Sequence, residues 1–447
     1  MLTKLEVNLL NGNIIKGLVI FAIPLFISNI FQQLYNTVDT MIVSNILGES
    51  SLAAIGSSSP IYDLLIGFAL GVGNGLGVVT ARAFGSKNYD LVKKNVAGSI
   101  VIGIILSCII MIISQFFLIP LLTLLNTPSE IIQESYSYIH LITLFVFVMF
   151  AYNLCSGLMR ATGNSLMPLI FLIISSLLNI FFDYLFIADF GLGIRGAAIG
   201  TILAQAISVV LCLLYIKRKS NLLVPRKKDF NINKKIYREL IGQGMSMGLM
   251  MSIVSTGTVI LQSAINGLGY LVIAGHTAAR KISTFAVMPC STISSSISTF
   301  VSQNKGANQY ERIKKGVRYS NYIAIVWGVF ASLIMILFSE YFIEFITGSN
   351  NPIIILNGSN YLKINAPFYV ILGILLNLRH ALQGLGRKIV PLISSVIECI
   401  GKILFVLIFI PFLGYFGVII CEPVIWGIMC LQLAVSFYSS NYLKKEE

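Results

Sequence analysis

Long apolar runs alternate along this chain with short polar breaks rich in Gly, Pro, Asn and charged residues. A bilayer core asks for about 20 mostly apolar residues per membrane helix. Cutting at the breaks gives twelve such segments, with approximate limits 16–47, 53–82, 94–120, 135–160, 166–188 and 193–217, then 239–268, 271–303, 316–346, 360–384, 388–412 and 414–440. Several overrun that length, which allows tilt, bends or ends that project into water. The opening stretch MLTKLEVNLLNGNII lacks the apolar region and small-residue cleavage site of a secretory signal, so the first segment is expected to persist as a helix. The pattern predicts an all-α polytopic membrane protein with twelve transmembrane helices.

Composition agrees with this. Hydrophobic residues make up 56% of the 447 and charged residues 11%, against about 25% charged in soluble proteins. That excludes a soluble enzyme. The net charge of +13, from 31 Lys and Arg against 18 Asp and Glu, invites a nucleic-acid reading until the positions are examined. The basic residues cluster at Lys4 and Lys16, from Arg82 to Lys94, from Lys217 to Arg238, from Lys305 to Arg318, at Arg387 and Lys388, and at Lys444 and Lys445. All of these fall on one side if the N-terminus is cytoplasmic. The opposite loops carry Glu49, Glu130, Glu134 and Asp189. This is the positive-inside asymmetry of a multi-pass cell-membrane protein with both termini cytoplasmic, and it leaves nucleic acid without a role. The seven cysteines sit inside apolar runs with no CxxC spacing, so neither zinc nor disulfides are expected to organise the fold.

The two halves resemble each other. TARAFGSKNYDLVKK (80–94) matches VSQNKGANQYERIKK (301–315), and SNILG (44–48) matches INGLG (265–269), both at an offset of 221 residues. TGNSLMPLI (162–170) echoes LGRKIVPLI (385–393) at an offset of 223. Six spans per repeat is an even number, so the halves share a topology, as two pseudo-symmetric six-helix lobes. The expected division is an N-terminal lobe over 1–216, a basic cytoplasmic linker over 217–238 containing Pro225, and a C-terminal lobe over 239–447. Parallel repeats of this kind are a secondary-transporter design. No Walker A glycine loop is present, so ATP is not the expected energy source.

Charged groups inside a bilayer are costly and mark functional positions. Asp39 lies in the first span. Asn179 and Asp183, four residues apart in the fifth, share a helix face. Thr201 is eight residues into the sixth span. At about 1.5 Å per residue, all four fall roughly 9–14 Å below the outer surface. Oxygen ligands from three helices at one depth suit a small hard cation or a shared proton, although a hydrogen-bond network joining helices would use the same residues. Pro24, about four turns before Asp39, permits a kink that could gate or simply bend the helix. Asp63 either lines a cavity or reaches only the interface.

The second half differs. His276, Arg280 and Lys281 fall in the eighth span, Arg379 and His380 in the tenth, Glu398 and Lys402 in the eleventh, and Glu422 in the twelfth. Glu398 and Lys402 have the favoured i, i+4 order for an ion pair. In the repeat alignment Lys402 takes the place of Asn179, Glu422 that of Thr201 and Val406 that of Asp183. The same cation site therefore cannot recur. Four basic residues (Arg280, Lys281, Arg379, Lys402) face two acids, Glu398 and Glu422, as a candidate substrate or proton network or as a neutralised structural one.

With these residues in view, the chain resembles the multidrug and toxic compound extrusion (MATE) family over essentially its whole length. The likeness rests on the two lobes, on Pro24 with Asp39, on Asn179, Asp183 and Thr201, on Arg160-Ala-Thr-Gly163 and on the paired segments at 80–94 and 301–315. The pattern looks more like the DinF-like than the NorM-like branch, because the seventh-span run GQGMSMGLMMSIVSTG has no acid and the tenth span carries Arg379 and His380. The resemblance implies an antiporter, not an enzyme, that exports organic cationic or amphipathic compounds by alternating access in exchange for H⁺ or Na⁺. It implies that Asp39, Asn179, Asp183 and Thr201 carry the coupling ion, as metal ligands only in the Na⁺ case, with no cofactor. The partners implied are a small-molecule substrate and the bilayer, with the chain working as a monomer. The competing reading is a flippase for lipid-linked saccharides or other lipid intermediates, for which the basic second half could meet a phosphate.

Overall fold

The computed structural model describes residues 6–439; Lys4, Lys444 and Lys445 of the charge argument lie outside the described residues. Among the described residues the chain forms twelve helical rods. They are α1 Ile14–Leu47, α2 Glu49–Gly85, α3 Tyr89–Leu124, α4 in two pieces (Ile132–Leu144 and Val146–Ala161), α5 Leu166–Tyr184 and α6 Ile194–Lys219. Then come α7 Lys234–Asn266, α8 Tyr270–Gly306, α9 Tyr310–Thr347, α10 in two pieces (Pro352–Asn365 and Tyr369–Gly384), α11 Ile389–Leu404 and α12 Tyr415–Tyr438. Ten of them are long and apolar enough to cross a membrane, and the two pieces of α4, bent by 50°, make an eleventh span. The exception is α8, whose 37 residues are rich in Ser and Thr. Its polar groups are tolerated because most of it is buried against α9 and α10.

The backbone repeats as the sequence does. Gly48 and Gly269, 221 residues apart, precede α2 and α8 with φ of 86° and 95°, a region open to glycine and strained for other residues. Lys87 and Asn308, at the same offset, both take left-handed φ values in the turns that follow. A π-helical turn, Leu185–Asp189, continues α5, and another, Phe405–Phe409, continues α11. Such turns often accompany functional sites.

The chain divides into two compact units, and the division falls inside two helices. One unit is Ile23–Gly248 with a short N-terminal piece ending at Asn8; the other is Leu9–Ala22 with Leu249 onward. The cut in α1 lies between Ala22 and Ile23, one residue before Pro24, and the cut in α7 lies between Gly248 and Leu249. Residues 217–238 belong to the first unit. Leu223 is buried with Cys212 and Ile216, and Ile232 and Leu240 lie over Gly98 of α3. Two short 3₁₀ turns shape this stretch, and the Asp229 carboxyl accepts from the Arg226 backbone N–H at 2.7 Å. That hydrogen bond holds the Asp229 carboxyl below the usual carboxylate range.

Each unit has its own core. In the first, α2 crosses the second piece of α4 where Gly73, Gly77 and Gly157 let the backbones touch: a Cβ on Gly77 would stand 2.7 Å from the Gly157 carbonyl. Small residues at such crossings are how membrane helices gain close packing. In the second unit, Tyr361, Leu362 and Ala366 of α10 fill the space between α8, α9 and α12.

Candidate functional site

In the first unit, α5 brings Asn179 and Asp183 to one face, and both side chains are buried. The Asn179 amide Nδ2 donates to Asp183 Oδ2 at 2.9 Å and lies 3.3 Å from Thr201 Oγ1 of α6. Asp39 of α1 places its carboxyl beside that of Asp183, close enough for one proton to bridge them. Asp39 Oδ1 and Asp183 Oδ1 are both buried without a hydrogen-bond partner. Four residues from three helices thus converge at one depth. The buried Asp183 carboxyl and the half-buried Asp39 carboxyl, with no basic partner among the described residues, leave negative charge in a poorly solvated place. A shared proton or a small cation would neutralise it.

Other residues shape this pocket and carried no signal in the sequence. Gly200 lies so close to Asp183 Oδ1 that any Cβ there would collide with the carboxylate. Tyr35, Tyr62 and Tyr138, from α1, α2 and α4, stand within electrostatic reach of Asp39. The π-helical turn begins two residues after Asp183. Asp63 is exposed on α2 and joins no hydrogen bond to the pair. Pro24 lies at the unit boundary within α1, and its own carbonyl accepts from the Ser28 hydroxyl at 2.8 Å. No group of three or more His, Cys, Asp or Glu suited to a metal occurs among the described residues. The oxygen set of Asp39, Asn179, Asp183 and Thr201 is of the kind that serves H⁺ or an alkali cation.

The second unit builds a network from the corresponding helices. Glu422 of α12 accepts from Arg280 Nη1 at 2.7 Å and from the Tyr361 hydroxyl at 3.0 Å. Lys402 Nζ lies 3.1 Å from Glu398 Oε1, 4.0 Å from Glu422 Oε1 and 3.2 Å from Thr258 Oγ1. Arg379 Nη2 reaches Glu398 Oε2 at 3.5 Å, while its buried Nε has no partner. His276 Nδ1 meets the Tyr415 hydroxyl at 3.2 Å, and its ring stands edge-on to Tyr361 at 5.0 Å. His380 Nδ1 meets the Leu376 carbonyl of its own helix at 2.9 Å. The i, i+4 spacing of Glu398 and Lys402 is thus an ion pair in space.

Lys281, expected among the buried cations, is instead exposed, because helical geometry turns it about 100° away from Arg280. The network therefore sets three cations, the buried Arg379 and Lys402 and the partly exposed Arg280, against two buried acids.

Comparison with known proteins now decides the family. The MatE family profile matches residues 24–185 and 247–418, one block in each half. The chain belongs to the MatE family. Members are membrane transporters associated with multidrug efflux, so this chain is a multi-pass membrane transporter and not an enzyme. It is 24% identical over 441 residues to the probable multidrug resistance protein YoeA of Bacillus subtilis (strain 168), covering 96% of this chain and 95% of the relative. It is 26% identical over 410 residues to the probable multidrug resistance protein YpnP of the same organism, covering 91% of each. Its fold matches the outward-facing conformation of a multidrug resistance MATE family transporter of the MOP superfamily over 100% of both chains, with a TM-score of 0.90 at 23% identity. These matches lend no support to the lipid-flippase alternative.

Proposed function

We propose that this MATE protein is a secondary antiporter that exports amphipathic, commonly cationic, organic compounds in exchange for H⁺ or Na⁺. The observation that carries the proposal is the pair Asp39 and Asp183, whose buried facing oxygens lack any donor. The coupling ion binds there, with Asn179 and Thr201 completing its oxygen shell. Because Asp39 sits on α1 and the other three on α5 and α6, ion binding draws these helices together. It favours whichever conformation brings the carboxyl groups closest, and the ion shifts the balance only by its differential affinity for the two states.

Pro24 is the hinge in this reading. It removes one backbone hydrogen bond from α1 at the place where the helix passes from one compact unit to the other. The network of His276, Arg280, Arg379, Glu398, Lys402 and Glu422 contributes to substrate or proton handling in the second unit. Both termini are placed in the cytoplasm by the Lys and Arg asymmetry, and the chain works as a monomer of the DinF-like branch. The names of YoeA and YpnP support export of toxic compounds.

The test is ethidium efflux from proteoliposomes under an imposed Na⁺ gradient and, separately, an imposed pH gradient. One of the two should drive efflux in the wild type, and neither should drive it in Asp39→Asn. Gradient-driven efflux that survives Asp39→Asn and Asp183→Asn would remove this pair from the mechanism.

A further inference from the structure

Beyond its first residue, the exposed positions of α8 are Thr277, Lys281, Thr284, Phe285 and Ser295. Their spacing places them along one face of the helix. The adjacent α9 provides the contrast. Between Tyr322 and Phe338 its exposed residues are all apolar or aromatic, Val326, Leu333 and Leu337 among them. A face like that of α9 suits lipid tails. A face that carries an ammonium does not, since hydrocarbon offers that charge no partner; the Thr284 and Ser295 hydroxyls donate within their own helix, to the Arg280 and Ser291 carbonyls. The α8 stripe therefore faces water.

Lys281 lies about 16 Å along the helix from Tyr270, too deep for its side chain to snorkel to that end. Among the described residues it takes part in no hydrogen bond or ion pair. Arg280, the next residue, is held inward by Glu422 and Tyr361, so Glu422 leaves the Lys281 charge uncompensated. Stepping back by 221 residues gives the matching face of α2: Gly56, Pro60, Asp63 and Leu64. Gly56, Asp63 and Leu64 are again exposed. The repeat preserves the face and changes its charge from acidic to basic.

We propose that Lys281, flanked by Thr277 and Thr284, receives the oxyanion of an amphipathic organic acid, a carboxylate or a phosphate, that the protein exports. This rests on the transport reading above and adds an anionic class to the commonly cationic substrates of that reading. The ammonium supplies charge-assisted hydrogen bonds, the Thr277 hydroxyl orients the oxygens while that of Thr284 donates to the Arg280 carbonyl at 2.9 Å, and Phe285, 52% exposed one turn away, meets the apolar part of the same compound. A phospholipid headgroup offers the same oxyanion, so the experiment separates the two sources.

Full-length protein in nanodiscs of zwitterionic lipid is titrated with carboxyfluorescein by fluorescence anisotropy, then again with anionic lipid added to the discs. The wild type should bind the dye, Lys281→Gln should bind it roughly tenfold more weakly, and Lys281→Arg should recover most of the affinity. Anionic lipid should leave the wild-type affinity unchanged. No binding by the wild type, equal binding by Lys281→Gln, or displacement of the dye by anionic lipid would each overturn the proposal, the last by making lipid the occupant. Rhodamine 6G efflux under the two gradients keeps the readings apart. If a gradient drives that efflux while position 281 makes no difference to carboxyfluorescein, the site fails and the antiport stands. If carboxyfluorescein binding depends on Lys281 but neither gradient moves either dye, the site stands and the antiport fails.

Discussion

Helices α2 and α8 are both 37 residues long, start after a left-handed glycine and occupy the same place in their repeats. What the two units build around them differs in kind. In the first, Tyr138 stands near two carboxyl groups, of which Asp183 accepts from the Asn179 amide; in the second, its counterpart Tyr361, 223 residues on, donates to Glu422 in a chain of five charged side chains. The acid pair lacks positive charge, whereas the network already contains it. Only the first has a reason to take up and release a cation. The second has every acid engaged, and its surplus is basic. The same scaffold thus carries an acid pair in one unit and a net basic network in the other.

The sharpest way to break this contrast is to neutralise one side. Asp183→Asn or Asp39→Asn should reduce gradient-driven ethidium efflux in proteoliposomes to the protein-free background, while reconstitution yield is unchanged. Next in size is the network. Replacing Lys402 by Met leaves Glu398 with Arg379 alone, at 3.5 Å, and weakens the hold on Glu422, a loss of up to about 3–5 kcal/mol for a broken buried pair. It should appear as a clearly lowered unfolding temperature in detergent together with an altered substrate profile. A variant that only lost stability, with its profile unchanged, would reduce the network to scaffolding.

Smaller effects sharpen the picture. Gly200→Ala inserts a methyl group where the Asp183 carboxylate lies, with overpacking costs of about 1–3 kcal/mol. Coupling should suffer more than stability, read as a weakened response of efflux to the driving gradient. The equivalent change in the second unit, Cys421→Ala, meets no carboxylate and should leave that response intact. The smallest effect lies outside the membrane. Because the folded-state Asp229 carboxyl sits below its ordinary range, its contribution is present above that range and fades as pH falls through it. Limited proteolysis of residues 217–238 should therefore rise on acidification, and Asp229→Asn should show the acid-like pattern already at neutral pH.

Much of this was legible in the sequence, for identifiable reasons. Apolar run length carried eleven spans directly. For α8 it succeeded despite the composition, because buried Ser and Thr back-bond to their own helix, as Ser294 does to the Cys290 carbonyl at 2.8 Å. The break in α4 at Phe145 was hidden, since no Pro or Gly marks it. The π-helical turns after Asp183 and Lys402 were equally silent. Depth counting brought Asp39, Asn179, Asp183 and Thr201 to one level. It could not say that two carboxyl groups would touch, which depends on the approach that Gly200 permits. Lys281 was misplaced for a simpler reason: adjacency in sequence does not mean a shared face on a helix.

Cation uptake by the purified protein tests the division of labour most directly. Na⁺ binding is followed with a radioactive tracer and proton release with a pH indicator, in wild type, Asp39→Asn, Asp183→Asn and Lys402→Met. A cation should bind to the wild type and to Lys402→Met but not to either aspartate variant. Binding that persists in both aspartate variants, or that disappears only in Lys402→Met, would contradict the assignment of coupling to the first unit.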